Sequence, residues 1–149
     1  MSAGPANRMV VDASVAVKWL VRDEEHTDKA RLLLRRFGQG ETALVVPGHL
    51  RYEVSSAVTA ATLGRAPRLQ PEEAREAIEA FLALPLETMD TNEHILLAYS
   101  LVHQYGCAFY DALYLALSQR LSAPLITADR RFYQRVQSVS GIVWLGDYQ

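Results

Sequence analysis

The sequence predicts an α/β fold, with an open parallel sheet of four to five strands covered by helices on both faces. Three observations carry this. Short apolar runs alternate with longer segments of helical periodicity along the whole chain. The runs are apolar at nearly every position instead of every second one, as strands buried on both faces must be. The 149 residues, half of them hydrophobic and 21% charged, suit one domain with a substantial core.

The elements follow in order. "MSAGPANR", residues 1–8, reads as a flexible tail without the apolar stretch of a secretory signal, and a single domain follows over 9–149. "RMVVDAS" is a first strand ending at Asp12, and "VAVKWLV" gives a turn or two of helix. "EEHTDKARLLLRRFGQG" is a helix with acids early, arginines late and Gly38 as its stop. "ALVVP" is a second strand closed by Pro47, and "HLRYEVSSAVTAATLG" is a long helix ending at Gly64. After the loop "RAPRLQ", Pro71 suits the first position of the helix "PEEAREAIEAFLAL". "PLETMD" is a brief third strand, after which Asp90 and Glu93 form a capping box for "TNEHILLAYSLVHQY". "FYDALYLALSQRL" is a helix, "APLIT" a fourth strand, "DRRFYQRV" a helix and "GIVWLG" a fifth strand. In such sheets ligands gather outside the carboxyl ends of the strands.

Composition removes several classes of function. No apolar run is long enough to span a membrane. Cys107 is the only cysteine, so there is neither an internal disulfide nor a thiolate metal cage, and a reducing cytoplasm is the expected location. A net charge of -2 argues against a broad electrostatic sleeve for nucleic acid. It leaves room for a nucleic-acid enzyme whose positive charge comes from a bound cation and a few arginines.

Four acids stand out. Asp12 and Asp129 each follow an apolar strand and precede a helix, so a parallel sheet puts both at one edge. Asp111 opens a helix that is apolar on nearly every side. Glu53 lies on the helix face shared by Leu50, Val54, Ala57, Val58 and Ala61, where a carboxylate is costly without a partner. Taken singly, Asp12 and Asp129 are well explained as helix caps, Asp111 by the helix dipole, and Glu53 by solvent or a nearby arginine. Taken together they are not. A cap is worth about 1 kcal/mol, whereas two carboxylates 4 Å apart repel by roughly 4 kcal/mol at an effective dielectric near 20. Convergence therefore demands protons or cations, and a carboxylate-only donor set selects Mg²⁺ or Mn²⁺ over zinc.

"VVDASVAVKWL", "VPGHLRYEVSSAV", "YDALYLALSQRL" and "PLITADRRF" together resemble the PIN-domain nucleases, above all the VapC-type toxins of toxin–antitoxin pairs. The resemblance runs from Met9 to the C-terminus. It implies a three-layer α/β/α sandwich around the parallel sheet. It also implies metal-assisted hydrolysis of RNA phosphodiester bonds, with Asp12, Glu53, Asp111 and Asp129 holding Mg²⁺, or Mn²⁺ in its place. Ser14 and Thr127 match the hydroxyl residues that accompany the first and last acids. A homodimer and a cognate VapB-type antitoxin are the partners implied. Arg130 and Arg131, and less directly Arg51, are candidates to grip the RNA backbone. Lys18 could also touch RNA, although a surface lysine explains it equally well, and Trp19, Tyr110 and Tyr114 could stack on bases, although core packing explains all three better. The four histidines have no ligand spacing and read as structural.

The competing readings are weaker. A receiver-type phosphoacceptor domain would want paired acids after the first strand and a lysine after the fifth, and neither is present. A haloacid-dehalogenase-like phosphatase needs an acid where Ser14 stands. A non-catalytic PIN-like module that binds RNA or protein is the remaining alternative, and it would be marked by a missing acid.

Overall fold

The computed structural model describes residues 7–149. The tail expected over 1–8 lies outside the described residues as far as residue 6, and Arg8 already belongs to the first strand. The elements are β1 (Arg8–Val11), α1 (Ala13–Leu20), α2 (Thr27–Gly38), β2 (Ala43–Val46), α3 (Leu50–Ala61) and α4 (Pro71–Leu82). There follow β3 (Glu87–Thr88), α5 (Asn92–Tyr105), α6 (Phe109–Leu121), β4 (Leu125–Thr127), α7 (Arg130–Val136), β5 (Ile142–Trp144) and a short 3₁₀ turn.

The five strands form one parallel sheet in the order β3-β2-β1-β4-β5. The three central strands are buried on both faces, which is why they carry no polar alternation: Val10, Val11, Leu44, Val45, Leu125 and Ile126 are essentially inaccessible. The edge strands are short, two residues in β3 and three in β5, which leaves little unpaired backbone. The chain winds from β1 through β2 to β3 on one side and then crosses back to β4 and β5 on the other. Right-handed crossovers therefore place α1 to α4 over one face and α5 to α7 over the other. Accordingly α1 packs against α2, α3 and α4, while α5 runs along α6, which lies on β1. The winding reverses between β1 and β4, so the crevice at their carboxyl ends is the topological switch point of the sheet.

Three sequence expectations are corrected. The second helix begins at Thr27 instead of in the acidic "EEH", because His26 takes a left-handed conformation (φ 60°) that breaks the helix ahead of it. Thr91, not Asp90, caps α5 by accepting from the His94 N–H; Asp90 accepts from the Gly48 N–H at 2.9 Å, tying the β2–α3 turn to the β3–α5 turn. Glu93 pairs with Arg120 on α6 instead of closing a capping box. On α3, Leu50, Val54, Val58 and Ala61 are buried, whereas Ala57 is exposed and Glu53 sits half-buried at the margin of a narrower apolar stripe.

Candidate active site

All four acids stand at the start of a helix, at the carboxyl edge of the sheet. Asp12 caps α1 and Asp129 caps α7, each accepting from a backbone N–H three residues on. Asp111 lies in the first turn of α6. Glu53 is the fourth residue of α3, in its first turn. Each carboxylate therefore faces the positive end of a helix dipole, worth about 0.3–1 kcal/mol apiece. That is less than the repulsion between neighbouring carboxylates estimated above.

Asp12 is the most enclosed, 3% exposed. Its Oδ1 accepts from the Ser14 hydroxyl at 2.5 Å and from the Val15 N–H, and its Oδ2 accepts from the Thr127 hydroxyl at 2.5 Å. Ser14 in turn accepts from the Ala128 N–H, and Thr127 from the Asp129 N–H. A hydroxyl has one proton to give. Since Ser14 and Thr127 both spend theirs on Asp12, their mutual contact at 3.4 Å is one of proximity. The two hydroxyls thus relay backbone N–H groups of the β4–α7 turn onto the acid at the end of β1, across the switch point.

Glu53 is held differently. Its Oε1 accepts from the Tyr114 hydroxyl at 2.7 Å and lies 3.0 Å from His49 Nε2. Burial works against its charge, but these two bonds and the neighbouring imidazole outweigh it and keep the carboxyl below its ordinary range. Asp111 shows the opposite balance. Burial, then Asp129, then Glu53 push its carboxyl up to about 6, with only partial relief from His49. Asp12 is pushed up to about 7 by burial, against the pull of its three hydrogen bonds, and Asp111 pushes it further. Burial and Glu53 drive the Tyr114 phenol upward, so it remains a donor. Asp111 therefore feels the charge of Asp129 and Glu53, and Asp12 feels that of Asp111. Among the described residues no lysine or arginine pairs with any of them within 4.0 Å. The cluster is not a closed cage either: among the described residues no three acid, histidine or cysteine side chains are gathered as cation ligands.

The basic and aromatic candidates separate clearly. Arg130 is exposed and holds its guanidinium 5.0 Å from the centre of the Trp144 ring, at the end of the strand beside Thr127. Arg131 is exposed next to it. Arg51 lies against the Tyr52 ring and the cavity bounded by Leu82, Leu84 and Leu86, with no bond to the acids. Lys18 is not available to RNA, being 7% exposed and paired with Glu24. Trp19 joins α1 to α2 through a bond from Nε1 to the Ala30 carbonyl. Tyr110 is exposed, whereas Tyr114 is buried. The sequence reads His49 as structural and Tyr114 as a packing or RNA-stacking residue, and misses that both sit against Glu53. Two signals were available: His49 is one helical turn before Glu53, and Tyr114 is one turn after Asp111.

The fold is thus an all-parallel α/β/α sandwich that carries four acids along the carboxyl edge at its switch point, with no lysine or arginine paired to them among the described residues. Residues 9–136 match the PIN domain, and the chain belongs to that family. Ribonuclease VapC1 of Mycobacterium tuberculosis is 32% identical over 118 residues, 73% of this chain and 88% of that protein. Ribonuclease VapC12 of the same organism is 31% identical over 126 residues, 85% of this chain and 90% of that protein. Among solved structures, VapBC2 from Rickettsia felis superposes with a TM-score of 0.63 at 12% identity, covering 92% of this chain and 96% of that one.

Proposed function

We propose that this chain is a divalent-metal-dependent ribonuclease and the toxin of a VapBC-type toxin–antitoxin pair. The observation that carries the reading is the electrostatic state of the carboxyl edge. Two carboxyls are driven up, to about 7 at Asp12 and about 6 at Asp111, in a cluster without a lysine or arginine partner among the described residues. Such a cluster is relieved by protons or by a hard cation, and its oxygen-only donors suit Mg²⁺, with Mn²⁺ as a substitute. Asp12, Glu53, Asp111 and Asp129 would hold the ion; among the described residues Glu53 Oε2 and the Asp111 carboxylate accept no hydrogen bond from another side chain. When bound, a divalent cation there supplies acidification of water and compensation of charge on a phosphodiester.

The chain's own residues do the rest. Ser14 and Thr127 lock the Asp12 carboxylate in one orientation, so it needs no rearrangement to serve as a ligand. Arg130, steadied over Trp144, stands where a phosphate beside the acids would meet a positive charge. Relatives named ribonucleases, at 31% and 32% identity, support RNA as the substrate. Neighbouring structures described as toxin–antitoxin complexes support a VapB-type antitoxin as the partner. A homodimer has apolar surface to form on: Ile95, Leu96 and Tyr99 of α5 are 50%, 70% and 62% exposed. Among the described residues no helix is long and apolar enough to cross a membrane, and buried, unpaired Cys107 suits a reducing cytoplasm.

The test is incubation of the purified protein with cellular RNA in Mg²⁺, in EDTA, and as Asp12→Asn. Cleavage by the wild type in Mg²⁺ alone is expected. Cleavage that persists in both control arms would overturn the mechanism, and RNA binding without cleavage in every arm would instead favour a non-cutting module.

A further inference from the structure

His49 touches both of the segments whose acids sequence spacing could not bring together. It occupies the N-cap position of α3 but makes no capping bond with its side chain. Its Nε2 instead lies 3.0 Å from Glu53 Oε1 and 3.1 Å from the main-chain carbonyl oxygen of Tyr110, the residue before Asp111. A carbonyl oxygen only accepts, so Nε2 carries a proton that it gives to the Tyr110 carbonyl, with the Glu53 carboxylate beside it as its charge partner. Tyr114, on the same helix as Asp111, gives its hydroxyl to the same Oε1 at 2.7 Å, and its ring stacks obliquely on the imidazole, with centroids 4.6 Å apart. Oε1 thus has the Tyr114 hydroxyl as donor and the His49 ring nitrogen beside it, and Oε2 has neither among the described residues.

We infer that His49 is a positioning residue. Together with Tyr114 it pins Glu53 by one oxygen and fastens α3 to the first turn of α6. That leaves Oε2 for the cation or its water and sets where Glu53 stands relative to Asp111. The inference rests on the metal-dependent reading of the site. Packing alone does not account for the pair. A phenylalanine would fill the buried Tyr114 site, and a helix start does not require an imidazole whose capping role goes unused.

The experiment is Mn²⁺ titration of the full chain, followed by the electron paramagnetic resonance of free Mn²⁺, with thermal melting alongside. His49→Leu and Tyr114→Phe should each weaken Mn²⁺ binding roughly tenfold, the usual scale for partners that orient a metal ligand. His49→Gln, whose amide nitrogen reaches as far as Nε2, should recover most of the loss. In a Glu53→Gln background, His49→Leu should add nothing, because the residue acts through Glu53. Wild-type binding with unchanged affinity in His49→Leu would overturn this inference alone, as would an equal loss in the Glu53→Gln background. A wild type that binds no Mn²⁺ would overturn the metal reading beneath it.

Discussion

At the scale of single residues, Asp111 decides most. Its carboxyl stands at about 6 instead of 3.8, so the folded chain holds a proton there that the unfolded chain releases earlier. The resulting stability is present below the ordinary value and is lost as pH rises through about 6, and Asp12 adds a similar loss up to about 7. Metal-free protein should therefore soften between those limits, as melting temperature followed against pH in EDTA will show. At about pH 8 in EDTA, Asp111→Asn should melt higher than wild type. Two pKa steps correspond to about 3 kcal/mol, but a half-buried group is partly screened, and about 1 kcal/mol, or roughly 3 °C, is the expected gain. Added Mg²⁺ should narrow or reverse the difference, and a variant that melts lower in EDTA would sink the account. Asp12 and Asp129 were legible because an acid after an apolar run and before a helix is a local pattern. Glu53 was legible as an anomaly. What holds it was not, since Tyr114 is 61 residues away and the pairing exists only once two helix layers meet at the sheet edge.

At the scale of elements, helix starts explain both what could be read and what slipped. Strands and helices appeared in the expected order because buried parallel strands announce themselves as unbroken apolar runs. One boundary slipped at the left-handed His26, and another where two neighbouring residues could both cap. At "MDTNEH" the sequence favours Asp90 with Glu93, but Asp90 is drawn away to the Gly48 N–H and Thr91 takes the cap. Thr91→Ala should therefore cost about 1 kcal/mol, a fall of roughly 3 °C in melting temperature. Asp90→Ala should leave α5 intact and instead speed amide exchange at Gly48. Equal loss of α5 protection in both variants would show that the cap is shared. Thr127 tests a second junction. It is fully buried with its hydroxyl on Asp12. Thr127→Val keeps the shape and removes the donor, so it should destabilise the metal-loaded protein by about 1–3 kcal/mol. A neutral Thr127→Val would mean that Asp12 does not depend on the relay.

At the scale of the whole molecule, the strand order sets four separate helix starts along one edge of the sheet, because winding that reverses at β1 puts the carboxyl ends of β1 and β4 on the same edge as the first turns of α3 and α6. That convergence was not legible from spacing, as strand order is a property of the sheet and not of any segment. The same arrangement constrains how RNA is gripped. With 15 lysines and arginines against 17 acids, four of them at the working edge, long-range attraction is weak and the hold on phosphate must be local. A contact through Arg130 and Arg131 and little else predicts a shallow salt dependence. The logarithm of affinity for a cleavage-resistant single-stranded RNA should fall with the logarithm of salt concentration at a slope of about -1 to -2. Arg130→Ala should remove about 0.7 from that slope and raise KM more than it lowers kcat, whereas Arg51→Ala, on the far side of α3, should change neither. A slope several times steeper in the wild type, untouched by Arg130→Ala, would place the RNA on some other face of the molecule.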